Sequence, residues 1–220
     1  MTGSETRIRD GVRAIAPLSV AAFAFSVSFG VLAEAAGMGA LAPIVMSATT
    51  FAGSAQFAAA SILDDGGGVA AAVTAAVLLN ARYAPISISV APGFRGSTFR
   101  RFVKSQLIVD ESWAVSHRGG GRYDHRVLIG AGLLLYPCWV GGTVVGAVGG
   151  ELLGDPNDLG LDAAFPALFL ALLYPMLRDR PTVAAAGAGA ALALALTPFA
   201  APGVPIVAAA AVCLGGWWRA

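Results

Sequence analysis

Charge is scarce in this chain: 14 Lys and Arg and 13 Asp and Glu amount to 12% of 220 residues, with a net charge of +1. Such a balance gives no concentrated basic face of the kind a nucleic-acid partner needs. Cysteine is limited to Cys138 and Cys213, both within apolar segments, which argues against a disulfide framework and against a thiolate metal site. The two histidines, His117 and His125, lie in a polar, basic region, far in depth from any serine in an apolar segment, so a membrane Ser–His nucleophile is not expected. An aspartyl version would need aspartates in the apolar segments, which hold none, and no Gly-x-x-x-x-Gly-Lys-Ser/Thr loop is present to bind a nucleotide. No catalytic residue, metal site or cofactor is expected.

What is abundant is apolar sequence. With 57% hydrophobic residues and a mean hydropathy of +0.74, too little polar surface remains to coat a soluble globule of this size. Apolar segments run over 15–33, 43–63, 69–90, 127–153, 163–177, 182–196 and 204–218, most near the ~20 residues a span requires. The expected fold is all-α: a polytopic helical membrane protein with six or seven membrane segments, one of them broken or re-entrant. Residues 1–14 form an N-terminal segment, 15–218 a single transmembrane domain, and 92–126 a cytoplasmic or interfacial region within it. Arg7, Arg9 and Arg13 ahead of an apolar run resemble a signal peptide, but that run is longer than a signal core and six more segments follow. It reads as a retained helix.

Orientation follows from the basic residues, which concentrate in cytoplasmic loops. The three N-terminal arginines place the N-terminus inside, and Arg95, Arg100, Arg101, Lys104, Arg118, Arg122 and Arg126 place 92–126 inside. Connections 34–42, 64–68, 154–162 and 197–203 carry no basic residue and read as external. Three apolar segments then lie between two cytoplasmic regions, so one of them is not a simple crossing. The exception is expected at 43–63, which has base-free loops on both sides and is interrupted by Ser47, Thr49, Thr50, Gly53, Ser54 and Gln56. A helix broken within the membrane, its freed backbone groups lining a polar cavity, fits this pattern. One continuous helix with hydroxyls bonded back to its own carbonyls is the alternative.

Thirteen of the fourteen basic residues lie outside the apolar segments; the exception is Arg82, in Asn80-Ala81-Arg82-Tyr83 with Pro85 three residues on. A guanidinium at that depth is paired or faces a polar cavity. Pro85 lacks an amide, so a kink beside Arg82 and a free Ala81 carbonyl are expected. Arg82 reads in two ways, as a substrate-carboxylate ligand or as a structural partner of Asp110, Glu111 or Glu34. Asp110 and Glu111 likewise read as a solvated acidic turn or as a proton acceptor and counter-ion to Arg82. They follow a stretch in which Phe99, Val103 and Leu107 share one helical face and Arg100, Arg101 and Lys104 lie elsewhere, the pattern of a helix on the inner leaflet. Gly142, Gly146 and Gly150 form a flat helical face for close packing against a helix of this chain or of another subunit.

Phe51-Ala52-Gly53-Ser54-Ala55-Gln56-Phe57, Asn80-Ala81-Arg82-Tyr83, Ala91-Pro92, Asp110-Glu111 and Phe165-Pro166-Ala167-Leu168-Phe169, in that order, resemble the AzlC-type branched-chain amino acid permease family over roughly residues 13–177. Tyr83 departs from the histidine that many members carry there. The resemblance implies a multi-pass protein of the plasma (inner) membrane that exports leucine, isoleucine, valine and, in some members, methionine, together with a small four-helix AzlD-type subunit. Coupling to the proton gradient is the natural energy source for such export. The alternative is a channel, or a carrier for another small solute or anion. The candidate substrate-binding residues are Gly53, Ser54, Gln56, Asn80 and Arg82, with Asp110 and Glu111 as coupling groups or counter-ions. A half-helix N-terminus at Gly53-Ser54 would take the substrate carboxylate, and the Ala81 carbonyl or an acid the ammonium.

Overall fold

The structure, a computed structural model, describes residues 7–119, 121–153 and 180–200 and the isolated positions 170, 173, 174, 177, 204, 205, 208 and 209. Most of the segments expected at 163–177 and 204–218, the acidic connection 154–162, the motif at 165–169, Pro175, Arg178, Arg219 and Cys213 lie outside the described residues. The helices are α1 (Ile8–Ala35), α2 (Leu41–Thr49), α3 (Gly53–Asp64), α4 (Val69–Asn80), α5 (Tyr83–Val90), α6 (Thr98–Ser105), α7 (Asp110–Ser116), α8 (His125–Leu153) and α9 (Arg180–Leu196). Among the described residues the only β pairing is a single bridge between His117 and Tyr123. A helical backbone satisfies its own polar groups, which is what hydrocarbon surroundings demand. Among the described residues, three stretches are long and apolar enough to span a bilayer: Ile8–Ala35, Val69–Gly93 and His125–Gly150; Arg180–Leu196 is apolar but shorter.

α1 and α8 form the axis of the bundle, and they run parallel. Gly11 sits against Val127 and Ala131, Gly30 against Thr143 and Ala147, and Gly150 beside Val31 and Glu34, so the two sequences ascend together. Glycine is required along this seam because the backbones nearly touch. A Cβ on Gly30 or Gly146 would collide with main-chain atoms of the other helix, and one on Gly142 with the Phe23 carbonyl and Ser26. Ser26 adds a hydroxyl that donates to the Phe23 carbonyl at 2.8 Å and to the Cys138 carbonyl at 3.4 Å. The glycine face of α8 therefore packs on α1 of the same chain.

Parallel α1 and α8 require the chain to return once between them, and α4 with α5 makes that return. Ala72 and Ala75 of α4 pack with Ala59 and Ile62 of α3, and the far end of α5 meets the start of α8, where the Val90 carbonyl lies 2.7 Å from His125 Nε2. Helices α2 and α3 must then enter and leave at one end of the bundle. Their contacts show it: Ser47 is bonded to Thr143, Gly53 faces Trp139, and Phe57 packs on Phe29. The chain descends to the level of Trp139, the midpoint of α8, and climbs back out. At nine and 12 residues, about 14 and 18 Å, neither arm spans a bilayer by itself.

Two local expectations change. Pro85 does interrupt the 69–90 helix, at Ala81-Arg82, but the Ala81 carbonyl is not free: the turn tightens and the Ala84 amide donates to it at 3.1 Å. Leu107 lies past the end of α6 and packs under Gly132, so the exposed apolar side of α6 is Phe99, Phe102 and Val103.

Candidate functional site at the tip of the broken hairpin

Between α2 and α3 the chain turns through Thr50, Phe51 and Ala52. Phe51 has φ 42°, a left-handed conformation that a bulky side chain adopts only when its surroundings impose it. Gln56 supplies much of that constraint. Its Oε1 accepts from the Ala52 amide at 3.2 Å and from Trp139 Nε1 at 3.0 Å, and its Nε2 donates to Ser47 Oγ at 2.8 Å. Ser47 continues to Thr143 at 2.8 Å, and the Tyr136 hydroxyl donates to the Ala48 carbonyl at 2.7 Å. One amide side chain, 0% exposed, thus ties both arms of the hairpin to α8.

On the other side of the tip, charged groups meet. Arg82 Nη2 donates to Ser54 Oγ at 2.5 Å and pairs with Asp110 Oδ2 at 2.7 Å. Three separate elements contribute: the first turn of α3, the junction of α4 and α5, and the first turn of α7. Asp110 is brought there because Val109 is buried with Ile15, Ala131 and Leu135, and because Ser112 accepts from the Val109 amide and donates to the Leu107 carbonyl. The pair opens into a cavity of about 80 Å³, room for several waters, bounded by Gly53, Ser54, Arg82, Tyr83, Asp110 and Glu111 and walled by Leu18, Phe25, Phe51, Leu135 and Trp139. Side-chain exposures of 33% for Arg82 and 25% for Asp110 are partly surface turned toward this cavity. Arg82 Nε is buried with no partner among the described residues, so one donor of the guanidinium is unused.

The short helix α7 crosses no membrane, yet burial raises both of its carboxyls above the ordinary range. At Asp110 the Arg82 charge opposes the rise; at Glu111 the opposing influence is chiefly a hydrogen bond from backbone, and the neighbouring Asp110 adds to the rise. The arrangement holds a cation, two acids able to take up protons, and an apolar wall around one space. Among the described residues no group of His, Cys, Asp and Glu forms a metal cluster.

The sequence-selected residues divide into three groups. Gly53, Ser54, Arg82, Asp110 and Glu111 converge on the cavity. Gln56 lies behind it with its hydrogen-bonding capacity turned toward Ala52, Trp139 and Ser47. Asn80 lies elsewhere, on a second cavity with Thr50, Phe51, Tyr83 and Ser87, and its buried Oδ1 has no partner among the described residues. Trp139 and Tyr136 were not singled out from the sequence. A Cβ on Gly53 would lie 2.6 Å from the Trp139 ring, which explains the glycine at that position. The usable signal was an indole and a phenol in a segment otherwise read only for its glycines, since both need hydrogen-bond partners when buried.

The sequence pattern of the AzlC protein family matches residues 17–153, a stretch that contains both arms of the hairpin, Arg82 and the acids of α7. The chain belongs to the AzlC family. It is 32% identical over 211 residues to an uncharacterized membrane protein of Archaeoglobus fulgidus, covering 91% of this chain and 90% of that one. The branched-chain amino acid transport protein AzlC of Bacillus subtilis is 26% identical over 167 residues, 73% of this chain and 65% of its own length. The inner membrane protein YgaZ of Escherichia coli is 24% identical, covering 91% and 85%. No solved structure matches. Membership of the AzlC family makes this chain a helical membrane protein of a transport family.

Proposed function

We propose that the chain exports branched-chain amino acids, leucine, isoleucine and valine with methionine in range, across the inner membrane in exchange for protons, together with a small AzlD-type subunit. The observation that carries this reading is the Arg82–Asp110 pair standing in an apolar-walled cavity at the tip of a mid-bundle helix break. A zwitterion inserts into such a pair. Its carboxylate takes Arg82, Ser54 and the first amides of α3, its ammonium takes Asp110 or Glu111, and its aliphatic side chain lies against Phe25, Leu135 and Trp139. Neither protein charge is left alone during the exchange. That matters, because stripping one partner from a buried pair costs about 3–5 kcal/mol. Similarity to the Bacillus protein supports the substrate class, and the small subunit rests on what the sequence resemblance implies.

Proton exchange follows from the two acids. Protonation of Asp110 from the acidic, external side releases the ammonium, and deprotonation on the cytoplasmic side restores the site. The basic residues support an N-terminus and a 92–126 region that face the cytoplasm. Labelled leucine efflux from cells expressing the chain with and without the small subunit tests this reading. Efflux should saturate, counter-exchange with valine and quicken as external pH falls, whereas Asp110→Asn should lose the pH response. A flux that neither saturates nor counter-exchanges would identify a channel.

A further inference from the structure

The second cavity has no place in the binding scheme above. It measures about 240 Å³, three times the charged one, and its polar lining comes from Thr50, Asn80, Ser87, Ser105 and Gln106. Among the described residues no Asp, Glu, Lys or Arg borders it. A mouth of hydroxyls and amides is a poor surface for lipid, which cannot satisfy them, and the unpartnered Asn80 Oδ1 needs a donor. Water supplies one. Ser105 and Gln106 end α6 and start the connection to α7, which leads to the end of the bundle where α1 begins.

Phe51 and Tyr83 border both cavities. Phe51 is the residue held at positive φ, its ring edge-on to Tyr136 at 5.2 Å; the Tyr83 ring carries the Arg82 guanidinium 5.4 Å from its centre. One aromatic partition is therefore strained at its backbone, and the other touches the group that would grip the carboxylate. Strained backbone concentrates at switches because release of the strain offsets part of the cost of moving.

Resting on the transport reading, we propose that the uncharged cavity is a hydrated entry vestibule on the α6 side, a first station for a small net-neutral zwitterion, closed from the charged site by Phe51 and Tyr83. A vestibule without fixed charge neither traps nor repels a zwitterion, while an ionic solute would lose hydration there without gaining a counter-ion.

Cysteine accessibility in native membranes carrying the assembled protein tests the proposal without reference to any substrate. In a background lacking Cys138 and Cys213, Ser87→Cys and Gln106→Cys should react with a membrane-impermeant methanethiosulfonate reagent in inside-out vesicles at least tenfold faster than in right-side-out ones. Ser54→Cys, behind the partition, should react slowly from that side. Phe51→Gly, which suits the positive φ and removes the ring, should accelerate the Ser54→Cys reaction about tenfold; Phe51→Leu should not. Should Phe51→Gly reduce expression, Tyr83→Ala serves in its place. Equal labelling from both sides, no labelling of Ser87→Cys and Gln106→Cys, or an unchanged Ser54→Cys rate on removal of either ring would each overturn the vestibule. Absence of leucine efflux together with these accessibilities would instead discard the substrate and keep the path.

Discussion

The seam between α1 and α8 and the tip of the α2–α3 hairpin lie side by side in the bundle and solve opposite problems. Along the seam two helices approach until glycine alone fits: Gly30, Gly142 and Gly146 meet backbone atoms, and only at its Gly150 end does a charged side chain, Glu34, stand beside it. At the tip the helix is given up, and side chains must replace the lost backbone bonds, so Gln56, Trp139, Ser47 and Thr143 form a linked set beside an ion pair. Rigidity comes from the first and chemistry from the second. A transport protein needs both at the same depth, because a site that holds a solute in exact alignment must be braced by something that does not move with it.

Substitutions that exchange the two regimes should show the largest effects. Gly146→Leu places four carbons where the Val27 carbonyl lies, and folded protein in membranes should fall below detection by fluorescence-detected size exclusion. Gln56→Leu leaves the Ala52 amide and the Trp139 indole N–H without acceptors; thermal unfolding in detergent should show a loss of about 2 kcal/mol, with transport reduced more than expression. Arg82→Lys keeps the charge but loses the planar fork, so leucine affinity should weaken about tenfold, ~1.4 kcal/mol, in a well-folded protein. Arg82→Gln should express poorly, and the double change with Asp110→Asn should restore expression but not transport; restored transport would reduce the pair to a structural one. The smallest effect is reserved for Gly150→Ala, whose Cβ would stand 3.5 Å from Glu34 Oε2 and nowhere strike backbone. Its expression should match the parent, whereas Gly146→Ala should not.

Much of this was legible from composition. The helical membrane fold, the break in 43–63 and the isolation of Arg82 all follow from hydropathy, charge parity and one proline, because lipid penalises deviations severely and so makes them visible. Convergence was less legible. Nothing local says that Asp110, 28 residues from Arg82 and beyond an amphipathic helix, returns to its side; that depends on Val109 finding a place beside Leu135. The Ala81 carbonyl misled because a proline removes one hydrogen bond without forbidding a tighter one. Gln56 illustrates the remaining difficulty: an amide in an apolar stretch announces a polar interior, but whether it meets a ligand or the protein depends on an indole 83 residues away.

The parallel run of α1 and α8 also bears on how the protein is made. Ser26 and its contact at Cys138 are 112 residues apart, which at ~5–20 residues per second means roughly 6–22 s of synthesis. During that interval α1 is already in the bilayer with its glycine seam open to lipid and to other nascent helices. Its Ser26 hydroxyl is satisfied meanwhile by the Phe23 carbonyl of its own helix. The first helix can therefore wait in the membrane for the eighth.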